Sequence, residues 1–181
     1  EGVILTDAEL DHTMGILLLR EAGHLPLVAT RAVAGNLGPD SRILDTTRAF
    51  SNVPVTELPL LSPVQLLHRD ESPSGLSVEA FSVPAGVPRF ASREEEGHTV
   101  GLLVRDDERG TACAFVPGCG DLDATLLERF AGVDALLFDG TFWTDEEMIA
   151  LGVGKKTARQ IDHLPISGPG GSLEQLSSLP C

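Results

Sequence analysis

The sequence is poor in cysteine, in long apolar runs and in basic residues, and each shortage excludes a class of protein. Its three cysteines, Cys113, Cys119 and Cys181, are too few and too scattered for a disulfide framework or a four-sulfur zinc site. No apolar run approaches the roughly 18 residues that a membrane-spanning helix needs. The first residues lack the basic and apolar segments of a signal peptide, so we expect a cytoplasmic location.

The shortage of basic residues bears on the partners. There are 13 Lys and Arg against 27 Asp and Glu, which gives a formal net charge of −14. Such a surface repels phosphate backbones, because nucleic-acid affinity depends on Lys and Arg displacing counterions. We therefore expect a small-molecule or peptide-derived substrate, with no nucleic acid and no membrane, and we leave a homodimer open. The acidity is equally compatible with a role in solubility alone.

Short apolar runs alternate with amphipathic stretches along the 181 residues, which we expect to form one domain. This pattern predicts an α/β fold in which helices cover the sheets. Because the chain begins in a strand-like run and stops after a helical pattern, we expect the fold to lack terminal strands. Residues 38–75 are rich in Pro, Ser and Asp and predict a loop with one strand near 53–58, and residues 85–97 predict an exposed loop. The predicted strands are 3–6, 25–29, 76–83, 99–104, 111–116 and 134–138, and the predicted helices are 13–22, 30–37, 123–130, 145–151 and 172–179.

The first candidate site follows the first predicted strand. Asp7, Glu9, Asp11 and His12 lie in a predicted loop just before a helix. An extended loop directs alternate side chains to one side, so the three carboxylates could converge, with His12 beside them. Oxygen ligands with one imidazole suit Fe(II), Mn(II) or Zn(II). The alternative is that Asp11 caps the helix and the other acids complement its dipole.

The second candidate site is Asp139, at the carboxyl end of the buried strand 134–138. An acid at that point faces the crevice where α/β sheets usually bind ligands. Since Asp139 precedes a glycine, an ordinary turn is the competing interpretation. Trp143, the only tryptophan, follows closely and is a candidate for lining the pocket or for packing in the core.

The third candidate site is His163 with the Gly-rich loop after it. Ser167, Gly170 and Gly171 precede a predicted helix, and free backbone N–H groups at a helix start can hold an anionic group such as a carboxylate. The loop lacks the lysine and the spacing of a phosphate-binding P-loop, which excludes a nucleotide triphosphatase of that type. A lone histidine here is more often structural than catalytic.

Three blocks in this order carry a family resemblance. Residues 4–15 (ILTDAELDHTMG), 137–148 (LFDGTFWTDEEM) and 152–171 (GVGKKTARQIDHLPISGPGG) resemble the signatures of the PqqB family of pyrroloquinoline quinone (PQQ) biosynthesis. That family is a branch of the metallo-β-lactamase superfamily. The resemblance implies a metallo-β-lactamase-like αββα sandwich, here incomplete.

The resemblance also bears on the metal ligands. The metal-binding loop of the superfamily has the motif His-x-His-x-Asp-His. In this sequence Asp7 and Glu9 replace the two leading histidines, while Asp11 and His12 match the motif. A single metal ion is then expected, Fe(II) first and Zn(II) as the alternative. The last superfamily ligand, a histidine on a later strand, has no counterpart in these 181 residues.

The implied function is that of an iron-dependent, O2-using hydroxylase of a tyrosine-derived intermediate. On this interpretation Asp139 and His163 are the catalytic residues that orient water or move protons. Trp143, Ser167, Gly170 and Gly171 are the expected substrate-binding residues. Two alternatives remain: a zinc hydrolase of the ordinary superfamily type, which Asp7 and Glu9 disfavour, and a non-catalytic carrier of PQQ.

Overall fold

Two β-sheets form the centre of the computed structural model, which describes residues 2–180. The first sheet has three parallel strands in the order β1 (Val3–Ile4), β2 (Leu27–Ala29) and β3 (Val55–Glu57). The second sheet has five strands in chain order, of which the last is parallel to its neighbour and the others are antiparallel. They are β4 (Val64–Leu67), β5 (Pro73–Ser82), β6 (Val100–Asp106), β7 (Thr111–Val116) and β8 (Ala135–Phe138).

The helices are short, and all the α-helices except the last two lie between strands along the chain. Thr30 and Asp123 cap two of them, because each side chain accepts the backbone N–H three residues on. None of the helices within residues 2–180 is long and apolar enough to cross a membrane. The α-helices are α1 (Leu10–Thr13), α2 (Gly15–Leu18), α3 (Arg31–Gly35), α4 (Ile43–Arg48), α5 (Ala124–Phe130), α6 (Glu147–Ala150) and α7 (Ser172–Leu176), with 3₁₀ turns at Arg20–Ala22 and Arg159–Ile161 and a π-helical turn at Asn36–Asp40.

Alternation along the strands sorts the core into layers. In β2, Leu27 packs on the side of α2 and α3, whereas Val28 packs against the second sheet. In β6, Leu102 faces the first sheet, whereas Leu103 packs with Phe130 of α5. The order is helix, sheet, sheet, helix, so the αββα sandwich predicted from the sequence is confirmed.

The prediction for residues 38–75 is wrong in part. The segment forms α4 and β4 besides the strand near residue 55, and β5 already begins at Pro73. Helix α4 is only six residues long and is held by burial of Ile43, Leu44 and Thr47, which a polar composition conceals. Strand β4 is a half-buried edge strand with a register shift, so its alternation is weak.

The predicted loop before the first helix is also shorter than expected. Helix α1 begins at Leu10, so Asp11 and His12 lie on a helix rather than in an extended loop. The alternation that was expected to bring three carboxylates together therefore ends at Glu9. This change alters the geometry of the first candidate site.

Two glycines provide a matched test of the sandwich. Gly101 of β6 lies opposite Phe81 of β5, and a Cβ added at Gly101 would overlap the Phe81 ring. We expect Gly101→Ala to lower the free energy of unfolding by about 1–3 kcal/mol, because a packed core resists added volume. Urea denaturation measures the change.

The control is Gly35→Ala. Gly35 has helical backbone angles and no atom within 4 Å of an added Cβ. This variant should gain up to about 1 kcal/mol from helix propensity. Equal stability of Gly101→Ala and the wild type would contradict the packing described here.

Candidate functional site

One cleft of about 500 Å³ brings together residues that are far apart in the sequence. The segment after β1 supplies one wall, and the segment around His163 supplies another. Residues 85–89 close a third side. The lining residues are Asp7, Glu9, Asp11, His12, Ala85, Gly86, Val87, Arg89, Thr99, Gly118, Lys156, Gln160, Ile161, Asp162 and His163.

The first wall is built on a buried carboxylate. Asp7 is 3% exposed and lies three residues after the end of β1. Its two oxygens lie 2.8 and 2.9 Å from Nδ1 of His12, and they also accept hydrogen bonds from Thr6 Oγ1 and the backbone N–H of Glu9. Since a carboxylate only accepts, Nδ1 of His12 is the donor to Asp7, and in the neutral ring Nε2 is then the nitrogen with a free lone pair.

Asp11 and Glu9 are more exposed than Asp7. The Asp11 side chain is 84% exposed, and its Oδ2 lies 4.0 Å from Nε2 of His12. Burial raises the pKa of Glu9, and the negative charges of Asp7 and Asp11 raise it further. Glu9 therefore keeps its proton to a higher pH than an ordinary glutamate.

These residues meet part of what a metal ion requires. The carboxylate of Asp11 and Nε2 of His12 lie side by side and are donors that Fe(II) and Zn(II) both accept. Asp7 is already bonded to three partners, so it is suited to orienting His12. Within residues 2–180, no three His, Cys, Asp or Glu side chains converge as a metal site. A complete site needs a further donor, and metal ligation by Asp7, Glu9, Asp11 and His12 stays a prediction.

The segment around His163 contributes a second carboxylate–imidazole pair. Asp139 follows the last residue of β8 and is 3% exposed, and its Oδ2 lies 2.6 Å from Nδ1 of His163. Oδ2 also accepts the backbone N–H of Cys119, while Oδ1 accepts the backbone N–H and Oγ1–H of Thr141. His163 lines the cleft, and with Nδ1 bonded to Asp139 its Nε2 is the nitrogen left to exchange a proton.

The pair shifts both pKa values in opposite directions. Burial favours a higher pKa for Asp139, but the hydrogen bonds from His163 and Thr141 outweigh it and lower that pKa below its ordinary value. The hydrogen bond to Asp139 raises the pKa of His163 above its ordinary value, against the effect of burial. His163 therefore stays protonated to a higher pH than an isolated histidine, which suits it to donating a proton.

The turn after β7 donates a backbone hydrogen bond to the Asp139–His163 pair. Cys119 donates its N–H to Asp139, and its thiol donates to the carbonyl of Asp121. Burial raises the pKa of the Cys119 thiol to about 12, so the sulfur is not a nucleophile at neutral pH. Sequence reasoning gave this turn no role in the site, and no sequence signal marks a backbone donor of this kind.

The structure does not bring the expected substrate-binding residues to the cleft. Trp143 is 59% exposed, and its carbonyl accepts the hydroxyl of Ser167. Gly170 donates its N–H to the side chain of Glu174, which uses the free donor that was expected to hold an anion. Gly171 is buried, and a Cβ added to it would contact the carbonyls of residues 165 and 166. Contact of these four residues with substrate stays a prediction, and here they stabilise the turn before α7.

The cleft also contains residues that sequence reasoning missed. Arg89 comes from the segment 85–97, which was interpreted only as an exposed loop, and Lys156 comes from the loop after α6. Asp162 lines the cleft with positive φ, and a Cβ at Gly86 would contact its carboxylate. The sequence signal that could have pointed to Arg89 and Lys156 is the scarcity of basic residues in an acidic chain.

The αββα fold, with a carboxylate–imidazole pair after a strand of each sheet, is consistent with one superfamily. The family model described as a beta-lactamase superfamily domain matches residues 1–180, and the chain belongs to that superfamily. The metallo-β-lactamase-like fold expected from the sequence motifs is confirmed.

Within this superfamily the chain is similar to coenzyme PQQ synthesis protein B. It is 38% identical to that protein of Gluconacetobacter diazotrophicus and 39% identical to that of Rhizobium meliloti, over 98% and 99% of this chain. It spans only 59% and 58% of the two relatives' lengths. The PqqB resemblance of the three sequence blocks is confirmed.

Solved structures agree with this assignment. The Zn²⁺-bound PqqB from Methylobacterium extorquens superposes with a TM-score of 0.84 at 34% identity, over 99% of this chain and 58% of that one. Unliganded yeast PDE1 covers 98% of this chain and 51% of its own, with a TM-score of 0.63. Human tRNase Z, short form, covers 98% and 68%, with a TM-score of 0.59. Both are 14% identical and share the fold alone.

Replacing Asp139 by Asn tests the second pair. Because the carboxylate raises the pKa of His163, Asp139→Asn should lower it toward or below its ordinary value of 6.5. The raised pKa stabilises the fold fully below about pH 6.5, and that contribution is lost as the pH rises through the raised value. An NMR titration of the His163 ring measures the shift.

The control is Asp134→Asn, whose carboxylate accepts only the backbone N–H of Ala112 among the described side-chain contacts. It should leave the His163 titration unchanged. An unaltered His163 pKa in Asp139→Asn would show that the pair does not set the protonation of this histidine.

Proposed function

We propose that this chain supplies the metal-dependent catalytic region of a PQQ biosynthesis protein. On this proposal it is an O2-using hydroxylase of a tyrosine-derived intermediate. The observation that carries the proposal is the pair of carboxylate-oriented histidines, His12 and His163, that line a single cleft. The similarity to coenzyme PQQ synthesis protein B supports the pathway. We further propose a cytoplasmic location and a small-molecule or peptide-derived substrate, with no nucleic acid or membrane partner and with a homodimer left open.

The two histidines have different partners and so are suited to different roles. Nε2 of His12 lies beside Asp11, and these two groups would hold the metal ion together with a further donor. Asp7 would fix the ring of His12 through Nδ1, as second carboxylates do for metal-bound histidines. Bound Fe(II) would supply redox chemistry with O2, which Zn(II) cannot, because Zn(II) has no accessible second oxidation state.

His163 would manage protons rather than bind metal. Asp139 holds its Nδ1–H, stabilises its protonated form and leaves Nε2 facing the reaction. A histidine with a raised pKa in this position can donate a proton to an oxygen of the substrate and recover it afterwards. Its partner remains ionised throughout, since the pKa of Asp139 is lowered.

A zinc-dependent hydrolase is the second candidate, because the M. extorquens PqqB structure is described as Zn²⁺-bound. A hydrolase requires a zinc-bound water and needs neither iron nor O2. Asp7 and Glu9 supply carboxylates where the usual dinuclear zinc centre has imidazoles, which disfavours this alternative.

Metal content and O2 uptake test the proposed function. Reconstitution without oxygen should give about one iron per chain, as expected for a mononuclear centre. The variant His12→Ala should lose that iron, because it removes the imidazole donor that the proposal assigns to the metal. Elemental analysis measures the iron, and an oxygen electrode measures O2 uptake with a tyrosine-like substrate. Zinc retained equally by both proteins, without O2 uptake, would contradict the hydroxylase and favour a carrier.

Asp7→Asn separates orientation from ligation. The amide keeps the size of the side chain but holds Nδ1–H of His12 less strongly, so metal affinity should fall about 10- to 100-fold without being abolished. Competition with a chelator measures the dissociation constant of the metal. Asp45→Asn, an exposed carboxylate on α4, is the control and should leave the affinity unchanged. Complete loss of metal from Asp7→Asn would instead indicate that Asp7 is itself a ligand.

A further inference from the structure

We infer that Arg89 and Lys156 form a carboxylate-binding pair that selects an anionic substrate. This inference rests on the proposed function, because it assigns substrate recognition to the same cleft. It replaces the Gly-rich turn at 168–171, whose glycines do not line the cleft, with side chains that do.

The two cations occupy different walls. Among the residues that line the cleft in the described part of the chain, Arg89 and Lys156 are the only Arg and Lys. Arg89 lies on the same wall as residues 85–87, whereas Lys156 lies on the segment that leads to His163. The cleft therefore offers a substrate two cations together with His163.

Neither cation forms an ion pair among the described residues, although the positive charge of Arg89 acts on the nearby Glu9. The ion pairs found within 4.0 Å among residues 2–180 involve neither Arg89 nor Lys156, although the chain has twice as many acids as bases. Both side chains are exposed, so their donors are available to a ligand. A guanidinium forms two parallel hydrogen bonds with a carboxylate, and an ammonium adds a flexible point charge.

The wall that carries Arg89 is fixed although it has no regular secondary structure. Pro88 is buried, and its carbonyl accepts the N–H of Ala91. Further along, Ser92 donates its N–H to Asp40, and Glu95 donates its N–H to Nε2 of the buried His98. These contacts reduce the entropy that the segment would lose on binding a ligand.

The wall that carries Lys156 is anchored in the same way. The N–H of Ala158 donates to the carbonyl of Asp145, and the N–H of Arg159 donates to its carboxylate. Thr157 donates its N–H to the side chain of Gln160. Lys156 thus projects from a short segment fixed immediately after it, at a set position relative to His163.

The rest of the cleft favours a carboxylate over a phosphate. Asp7, Glu9, Asp11 and Asp162 also line it, so the cleft is acidic apart from the two cations. A phosphate group carries up to about two negative charges near neutral pH and would be repelled more strongly than a singly charged carboxylate. The pair is therefore matched to one or two carboxylates on a small organic molecule.

Binding of two matched peptides tests the inference on the metal-free protein under nitrogen. N-acetyl-glutamyl-tyrosine carries two carboxylates, and N-acetyl-glutaminyl-tyrosinamide is its neutral isostere. Wild-type protein should bind the first more tightly in isothermal titration calorimetry. Arg89→Gln and Lys156→Gln should each weaken binding of the charged peptide about tenfold and leave the neutral peptide unaffected.

The controls are two neighbouring cations outside the cleft. Arg93→Gln lies on the same segment as Arg89, and Lys155→Gln is adjacent to Lys156, yet neither residue lines the cleft. Both controls should bind as the wild type does. Equal binding of the two peptides by the wild type, or equal losses in the controls, would overturn the inference, and so would tighter binding of inorganic phosphate through the same two residues.

The outcome is independent of the metal and of oxygen. Charge-selective binding without O2 uptake would uphold the pair and contradict the hydroxylase. O2 uptake by a protein that does not distinguish the two peptides would uphold the hydroxylase and overturn the pair.

Discussion

The hydrogen bond between the buried carboxylate of Asp139 and Nδ1 of His163 is the interaction on which the cleft depends. An ionised carboxylate is costly to bury unless donors surround it, and here four donors from three segments do so. They come from the turn after β7, from Thr141 beyond β8 and from the segment that ends at His163. The charge of Asp139 therefore holds three segments of the chain together. These segments form one wall of the cleft because each donates a hydrogen bond to this carboxylate.

The same principle operates at the other wall on a smaller scale. Asp7 is as deeply buried as Asp139 and is satisfied by Thr6, Glu9 and His12. Both carboxylates follow strands, and the cleft lies beyond the strand ends, as ligand sites of α/β sheets generally do. The two imidazoles reach the same space with different neighbours. His12 lies beside an exposed carboxylate, whereas His163 belongs to a closed pair, and this difference underlies the separate roles proposed for them.

The features that could be predicted from the sequence are those that depend on local residue patterns. Short apolar runs and alternation identified the strands of the sandwich except β4, and an acid directly after a buried strand identified Asp7 and Asp139. Helix α4 was missed because its three buried residues stabilise it only against the rest of the core. At the Gly-rich turn, the N–H of Gly170 that was expected to be free donates to Glu174 of α7, a contact that local sequence does not reveal. Arg89 and Lys156 were missed because nothing in their local sequence indicates that distant loops meet.

Long-range ¹H–¹⁵N NMR of the histidine rings during addition of Zn²⁺ tests the central claim most directly, since it reports each ring nitrogen separately. The account predicts that Nε2 of His12 shifts on metal binding while its Nδ1 keeps the proton held by Asp7. His163 should keep a protonated Nδ1 and show no ligation at Nε2. Ligation of His163, or loss of the His12 Nδ1 proton to the metal, would contradict the division of roles between the two histidines.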